Sequence, residues 1–415
     1  QSNHLSLNEK PFQINFTKRT TFLILSFLKK NISSKKRILF VSRYGETLDI
    51  AYAIHKEGHK VKMFIEEKGC KEIGAGFITK VSDWVKHKDW ADLFIFDYTG
   101  YGQICESLRK EGRLVIGGSE YTDHLELDRN FGQNELKRHG IKTLPFKEFI
   151  SFKEAIEYVV KHPDSYVIKP SGEIQELKQL LFVGSDDSGL DVIRVLKAYE
   201  KTWGDNFGAF QLQKKVKGVE ISASAYFNGK KFLTPVNITF EHKKLFPGEL
   251  GVSTGEMGSS MFWVKESPIF EATLLKFEKT LAEKNFIGHI DLNCIVNGNG
   301  IFPLEFTSRF GYPQVMIQRA GIVEPLGEFF TKLAEGKNFN ISVRKGFQVG
   351  VFMVVPPFPF TDKKTFNLFS KDAVVIFKKD VKEGIHPMHL KLVNGEWLIT
   401  GDTGIAVLVT GTGLT

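Results

Sequence analysis

RILFVSRYGETLDIAYAIHKEGHKVKMFIE, residues 37–66, is the stretch that decides the fold. Its apolar run at 38–41 reads as a buried strand and is followed by a loop holding Gly45. Residues 48–55 carry apolar side chains at helical spacing, and beyond Gly58 a second strand spans 60–65. Strand, crossover helix and strand make one βαβ unit, and such units build parallel sheets. Outward from it, 93–97 and 114–117 read as two further strands with a helix at 103–111 between them. The expectation is a Rossmann-like layer ending near Ser119.

Upstream, residues 1–36 show little periodicity, and Gln1-Ser2-Asn3 resembles a cloning remnant, so this part reads as an N-terminal extension or tag-derived segment. Its apolar run, TFLILSFL at 21–28, is far shorter than a bilayer span and has no small-residue cleavage site after it, which argues against a membrane segment and a signal peptide. Downstream, a helix at 125–139 ended by Gly140, a helix at 151–161 and a strand at 165–170 form a small α/β module. From Phe210 onward strands dominate, at 210–216, 219–227 and 231–240, and as a pair at 288–296 and 301–309 joined through Asn297-Gly298-Asn299-Gly300. Helices at 267–285 and 325–335 are expected to cover this antiparallel sheet, and the last seventy residues read as another strand-rich unit. The expected divisions are 1–36, 37–120, 121–190, 191–344 and 345–415, a multidomain chain of α/β and α+β character.

The 415 residues include 42% hydrophobic ones, ample for several cores. Cys70, Cys105 and Cys294 lie far apart, with neither metal-ligand nor disulfide spacing, which suits a reducing cytoplasm. The formal charge of +8 is spread along the chain and partly gathered in its first residues, with no basic run interleaved with aromatics. Anionic small molecules fit this pattern better than nucleic acid. His386 and His389 are three apart without further ligands nearby, and no Ser/His/Asp or Cys/His set stands out.

The residues that could carry chemistry lie mostly at strand ends. Lys169 closes an apolar strand just before Pro170-Ser171-Gly172, a place where an ammonium meets a ligand phosphate or simply meets solvent. Arg129 lies in the helix after Asp123. The crossing 213–220, with Gln213, Lys215, Val216 and Glu220, can offer backbone groups to a purine edge and a carboxylate to a ribose, or be a surface turn. The polar, glycine-bearing segment 241–260, which holds His242, Lys243, Thr254, Gly255 and Gly258, reads as a long loop, functional or disordered, whose glycines can line a substrate pocket closely.

Asp291 and Glu305 occupy the two strands of one hairpin. A connection at 297–300 pairs Leu292 with Glu305 and sends Asp291 to the other face; an odd-length connection with a glycine bulge brings both carboxylates to one face, and that register is the expectation. Two hard oxygen ligands there, with the Thr307 hydroxyl, suit a magnesium or manganese ion that shares nucleotide phosphates. On the hairpin alone, half-exposed carboxylates paired to lysine or arginine fit at least as well, and Pro303 belongs at a sheet edge or a bulge.

In order along the chain, Gly117-Gly118-Ser119, YVIKPSG (166–172), KGVEISAS (217–224), EHKK (241–244), VSTGEMGSS (252–260), GHIDLNCIV (288–296), LEFTSRFGYPQ (304–314) and GIAVLVTGTG (404–413) together resemble the phosphoribosylamine-glycine ligase family of ATP-grasp enzymes. That resemblance implies ATP-grasp central domains between a Rossmann-like domain and a small strand-rich C-terminal one. It also implies an ATP- and magnesium-dependent ligase of purine synthesis, a monomer or homodimer acting on a small-molecule carboxylate and amine. By the same resemblance Glu305 is a metal ligand, with Asp291 and Thr307 beside it. Lys169 and Arg129 take ATP phosphates, Gln213, Lys215, Val216 and Glu220 line the nucleotide pocket, and Lys169 and Arg309 are catalytic. Gly45, His242, Lys243, Thr254, Gly255, Gly258, Arg309 and Gly311 would face the substrates. The chain departs from the family where GGGGREHA is replaced by SRYGETLD, where a glycine-rich flap after Lys169 is replaced by EIQELKQLLFV, and at Thr307, Tyr312 and Gln314. Those departures keep open the same chemistry on other substrates, and a non-catalytic nucleotide-binding relative.

Overall fold

The computed structural model describes residues 35–171, 180–378 and 383–415. The terminal extension up to residue 34 and most of the segment expected as a flap after Lys169 lie outside the described residues.

The βαβ unit forms as the apolar spacing requires: β1 (Arg37–Ser42), α1 (Leu48–Lys56) and β2 (Lys60–Ile65) are followed by β3 (Thr79–Val81), β4 (Leu93–Phe96), α2 (Gly102–Lys110) and β5 (Leu114–Ile116). All five strands are parallel, in the order β3-β2-β1-β4-β5. Ile38, Phe40 and Ile95 are fully buried on one face, and Leu39, Val41 and Phe94 on the other, because a sheet with both faces covered needs unbroken apolar strands rather than alternation. The short β3 was absent from the sequence reading: Thr-Lys-Val at a partly exposed edge carries no apolar period.

The single helix expected at 125–139 is two, α3 (Glu120–Leu127) and α4 (Arg129–Arg138). Ser119 opens the first with a capping box to Thr122, and Asp128 leaves helical geometry to accept the Phe131 amide and cap the second. The break places Arg129 in the first turn of a new helix.

Next come β6 (Phe146–Phe149), α5 (Phe152–Lys161), β7 (Tyr166–Pro170), β8 (Phe182–Val183), α6 (Leu190–Trp203) and β9 (Phe210–Lys214). The four strands form an antiparallel sheet β6-β9-β7-β8, and Phe152, Phe207, Phe210 and Leu196 fill the layer between it and its helices.

The largest sheet has eight strands. It begins with β10 (Val219–Phe227), β11 (Val236–Phe246) and β12 (Leu250–Val264), and here the structure corrects the sequence reading. Segment 241–260 is no open loop, since β11 and β12 pair as a long hairpin from Val236↔Val264 outward. Its polar composition reflects two strands running out beyond the core, where both faces meet solvent or the site. The helix expected at 267–285 is also interrupted, giving α7 (Pro268–Ala272), a 3-10 turn and α8 (Glu278–Glu283), because Thr273 departs from helical geometry.

After β13 (Gly288–Asn297), β14 (Gly300–Thr307), α9 (Gln314–Gly321) and α10 (Leu326–Ala334), the chain enters β15 (Phe347–Val354), α11 (Lys363–Phe369), β16 (Val374–Val375), β17 (Ile385–Pro387), β18 (Leu390–Val393), β19 (Glu396–Ile399) and β20 (Ile405–Gly413). The strands of the last seventy residues do not form one sheet of their own. β15, β20 and β17 extend the large sheet in the order β14-β13-β10-β11-β12-β15-β20-β17, and only β16-β19-β18 stands apart.

Candidate active site

Three cationic and acidic side chains converge from different elements. Lys169, on β7, is 6% exposed. Burial lowers its pKa to about 8, the Arg129 charge adds to that, and Glu305 and Glu220 pull the other way. Arg129 reaches from the start of α4 to both sides of the gap, with Nη1 3.2 Å from Glu305 Oε2 and Nε donating to the Pro170 carbonyl at 3.1 Å. The broken helix therefore joins the end of β7 to the edge strand β14.

The β13–β14 hairpin answers the register question by a route the sequence reading did not take. Its turn is two residues, with Asn297 paired to Gly300, so the odd-length connection is overturned. Left alone, that turn would pair Leu292 with Glu305. Instead Leu304 is an extra residue, since Cys294 pairs with Pro303 and Asn293 with Glu305. The bulge turns Glu305 onto the face of Asn293, with Asp291 opposite Thr307 on that same face. Pro303 is accommodated beside the bulge on an edge strand.

Behind this edge lies a half-buried charged network. Lys243 on β11 bonds Glu220 and stands 3.3 Å from Glu241. Burial works against its ammonium, but Glu241, Glu220 and Glu305 outweigh that and hold its pKa above the ordinary lysine value. Asn293 Nδ2 donates to Glu220 at 2.8 Å and to Glu241 at 3.3 Å. Burial raises the Glu241 carboxyl, and raises Asp291 to about 7, with the nearby Glu241 charge adding to the latter while Ser222 and Gln314 oppose it. Asp291 accepts from the Ser222 hydroxyl and, at 3.2 Å, from Gln314 Nε2.

Glu256 belongs to the same network. Between the pairs His242↔Gly258 and Lys244↔Ser253 the single residue Lys243 faces four residues of β12, 254–257. This bulge, anchored by Thr254 Oγ1 donating to the Lys243 carbonyl at 2.8 Å, lets Glu256 bond Ser259, and burial followed by Glu241 pushes its pKa well above the carboxylate range.

The other candidates divide. Arg309 pairs with Glu126 at 3.3 Å, and its guanidinium lies 5.2 Å from the Tyr98 ring centre and 5.6 Å from that of Tyr312. Tyr312 in turn donates to the Asp97 carbonyl at 3.0 Å, which ties the 309–312 turn to the carboxyl end of β4. A Cβ at Gly311 would lie 2.4 Å from Gln314 Oε1, so a larger residue there would displace the end of that side chain. Gly45 lies beneath the β1 loop with φ +90, held by its amide donating to Ser42 Oγ at 2.7 Å. Gln213 is buried within β9, and Lys215 is tied to the Gly184 carbonyl at 2.7 Å, with Val216 half-buried beside it. His242 bonds the Phe246 carbonyl near the hairpin tip, Gly255 is open to solvent, and Gly258 lets β15 approach closely.

The sequence reading did not single out Glu241, Glu256, Asn293 or Glu126 as parts of this site, and took Gln314 only as a departure from the family. Asn293 was legible, two residues from Asp291 and so on the same strand face. The others depended on bulges and on contacts between distant segments.

Among the described residues no group of three His, Cys, Asp or Glu side chains forms a metal site by itself. The donors still fit a hard divalent cation. Asn293 Oδ1 is buried without a hydrogen-bond partner, on the face it shares with Glu305 and Asp291 and amid crowded like charges that a cation would relieve.

Residues 127–315 match the family model of the phosphoribosylglycinamide synthetase ATP-grasp (A) domain. The phosphoribosylamine–glycine ligase of Streptococcus pneumoniae strain R6 is 25% identical over 302 residues, 71% of each chain. Among solved structures, the phosphoribosylamine–glycine ligase of Thermotoga maritima superposes with a TM-score of 0.68 at 21% identity, covering 91% of this chain and 93% of that one. A biotin carboxylase from Campylobacter jejuni, in complex with an ATP analogue, gives 0.60 at 14% identity, over 91% and 87% of the two chains. With this fold, this matched domain and these relatives, the chain has an ATP-grasp fold and is similar to the phosphoribosylamine–glycine ligases.

Proposed function

We propose that the chain is an ATP-dependent C–N ligase of purine synthesis in the cytoplasm, joining glycine to 5-phosphoribosylamine. The observation that carries this reading is the convergence of Lys169, Arg129 and Glu305 from two sheets and a capped helix start. A carboxylate oxygen attacks the γ-phosphorus and ADP departs. The amine nitrogen then attacks the acyl carbon and inorganic phosphate departs. No protein nucleophile is needed, so the residues act by alignment and by neutralising spreading negative charge.

Lys169 and Arg129 hold the phosphates, the 213–216 backbone meets the purine edge, and Glu220 takes the ribose. Glu305, Asn293 Oδ1 and Asp291, with Thr307 beside them, would hold magnesium or manganese, which supplies further neutralisation when bound. Arg309, stacked between Tyr98 and Tyr312, orients the small substrates at the carboxyl ends of the Rossmann-like strands. Within the proposed divisions, 37–120 supplies that crevice, 121–190 is a lid that shields the acyl phosphate from water, 191–344 carries the acidic site and 345–415 completes the large sheet. Hydrogen exchange in 121–170 is expected to slow on adding ATP with magnesium; unchanged exchange at saturating ATP would remove the lid.

A second reading keeps the chemistry and changes the substrate pair. It is favoured by Tyr312, whose ring lies 5.6 Å from the Arg309 guanidinium, and by Glu256, a half-buried carboxyl in the β11–β12 bulge. ADP release by the purified chain, with glycine and phosphoribosylamine supplied together and each omitted in turn, separates the two. Release that requires both supports the first reading, and ATP binding without such release refutes it.

A further inference from the structure

A cavity of about 520 Å³ shares no lining residue with the site above. It lies behind α9. Gln314 at the start of that helix bonds Asp291, whereas Arg319, five residues later and so about 140° around the helix, enters the cavity. The remaining walls come from α1, the segment before α10, and strands β17 and β20. A volume of this size accepts a small metabolite.

Its charges are unequally committed. Asp49 binds Arg319 Nη1 at 2.6 and 2.8 Å and stands 2.8 Å from His386 Nδ1. Glu57 accepts the Leu326 and Gly327 amides at 2.8 and 2.9 Å, and Glu324 pairs with Lys332 at 3.2 Å. The cations are freer. Every hydrogen bond of the Arg319 guanidinium passes through Nη1, so among the described residues its Nε and Nη2 donors remain for a ligand, and 27% of the side chain is exposed to the cavity. Arg344 is exposed and has no ion-pair partner among the described residues; Lys56 lies over the Tyr52 ring at 4.4 Å with no carboxylate partner there. Against these three stands one exposed carboxylate at the rim, Glu383. Thr410, whose hydroxyl lies 2.7 Å from His386 Nε2, adds a polar wall.

We infer that this cavity binds a small phosphorylated metabolite, a phosphate monoester held by the uncommitted Arg319 donors and by Arg344 and Lys56 at the mouth. A guanidinium fork matches phosphate geometry, and two flanking cations complete the neutralisation of a dianion. The inference does not depend on the ligase reading, because the site is separate and its test needs no turnover.

Calorimetric titration of the full chain with glycerol 3-phosphate, a phosphate monoester without the ribose of the proposed substrate, and with inorganic phosphate as the minimal probe, tests it. Lys56→Ala combined with Arg344→Ala removes only exposed side chains, and its thermal unfolding should match that of the parent. The expected result is saturable binding, roughly tenfold weaker or more in the double variant and unchanged in Arg309→Ala. Binding that survives the double variant but is lost in Arg309→Ala would place the phosphate in the substrate crevice and overturn the inference, as would the absence of saturable binding.

Discussion

Glu305 is half-exposed, with its carboxylate against Arg129. Glu305→Gln keeps the shape and removes the charge, so magnesium-dependent ADP release should fall by two orders of magnitude or more, while stability changes by less than about 1 kcal/mol. Turnover at the parental rate would dismiss its metal role. Asp49 makes a different prediction. Burial alone would raise its carboxyl, but Arg319 and His386 together outweigh burial and hold its pKa below the usual value. A depressed folded pKa contributes stability above the unfolded value near about 4, and that stability is lost as pH falls through the folded value. Asp49→Asn should therefore lower stability at neutral pH by about 2–3 kcal/mol and flatten the acid limb of the stability–pH curve. A parallel curve displaced downward would show that the charge is not the cause. Lys169, Glu220 and Glu305 were legible one by one as charged residues on or beside strands, and Arg129 as a cation within a helix; that they converge was not, since their partners are up to 176 positions apart.

At the scale of elements, small irregularities aim the chemistry. The break at Asp128 starts α4 at Arg129, and Asp128→Ala should cost about 1 kcal/mol through the lost cap. It should also weaken ATP binding, because Arg129 loses its fixed first-turn position; Asp128→Asn, which can still cap, should preserve both. Undiminished ATP affinity in the alanine variant would separate the cap from the site. The extra residue Leu304 and the four-to-one bulge opposite Lys243 act likewise on Glu305 and Glu256. Periodicity found the strands but not these insertions, because one residue added to a ladder leaves the apolar alternation on either side intact.

Across the whole molecule, the small C-terminal hairpin docks on the Rossmann-like layer. Gly74 donates to the Leu390 carbonyl at 2.8 Å, Leu392 donates to the Ala75 carbonyl at 2.8 Å, and Trp397 packs edge-on against Phe77 with ring centres 4.8 Å apart. Gly76 sits beneath that contact with φ +86, and a Cβ there would fall 1.9 Å from the Leu392 carbonyl oxygen. Gly76→Ala should destabilise the chain by about 2–4 kcal/mol, combining left-handed strain with overpacking, and should loosen 385–413 in hydrogen exchange. A parental melting temperature would mean that the hairpin docks without this close approach.

The sequence by itself determined the parallel layer, most strand positions and the residue types suited to phosphate and metal, because these follow from local periodicity and from charge placed at strand ends. Tertiary structure alone decided that 241–260 is a hairpin, that β15, β20 and β17 extend the large sheet, and that Glu241 and Gln314 join Asp291 and Glu305. Strand pairing between distant segments depends on which backbone edges meet, and a buried carboxylate depends on which neighbours stand within a few ångströms; neither is encoded within a window of a dozen residues.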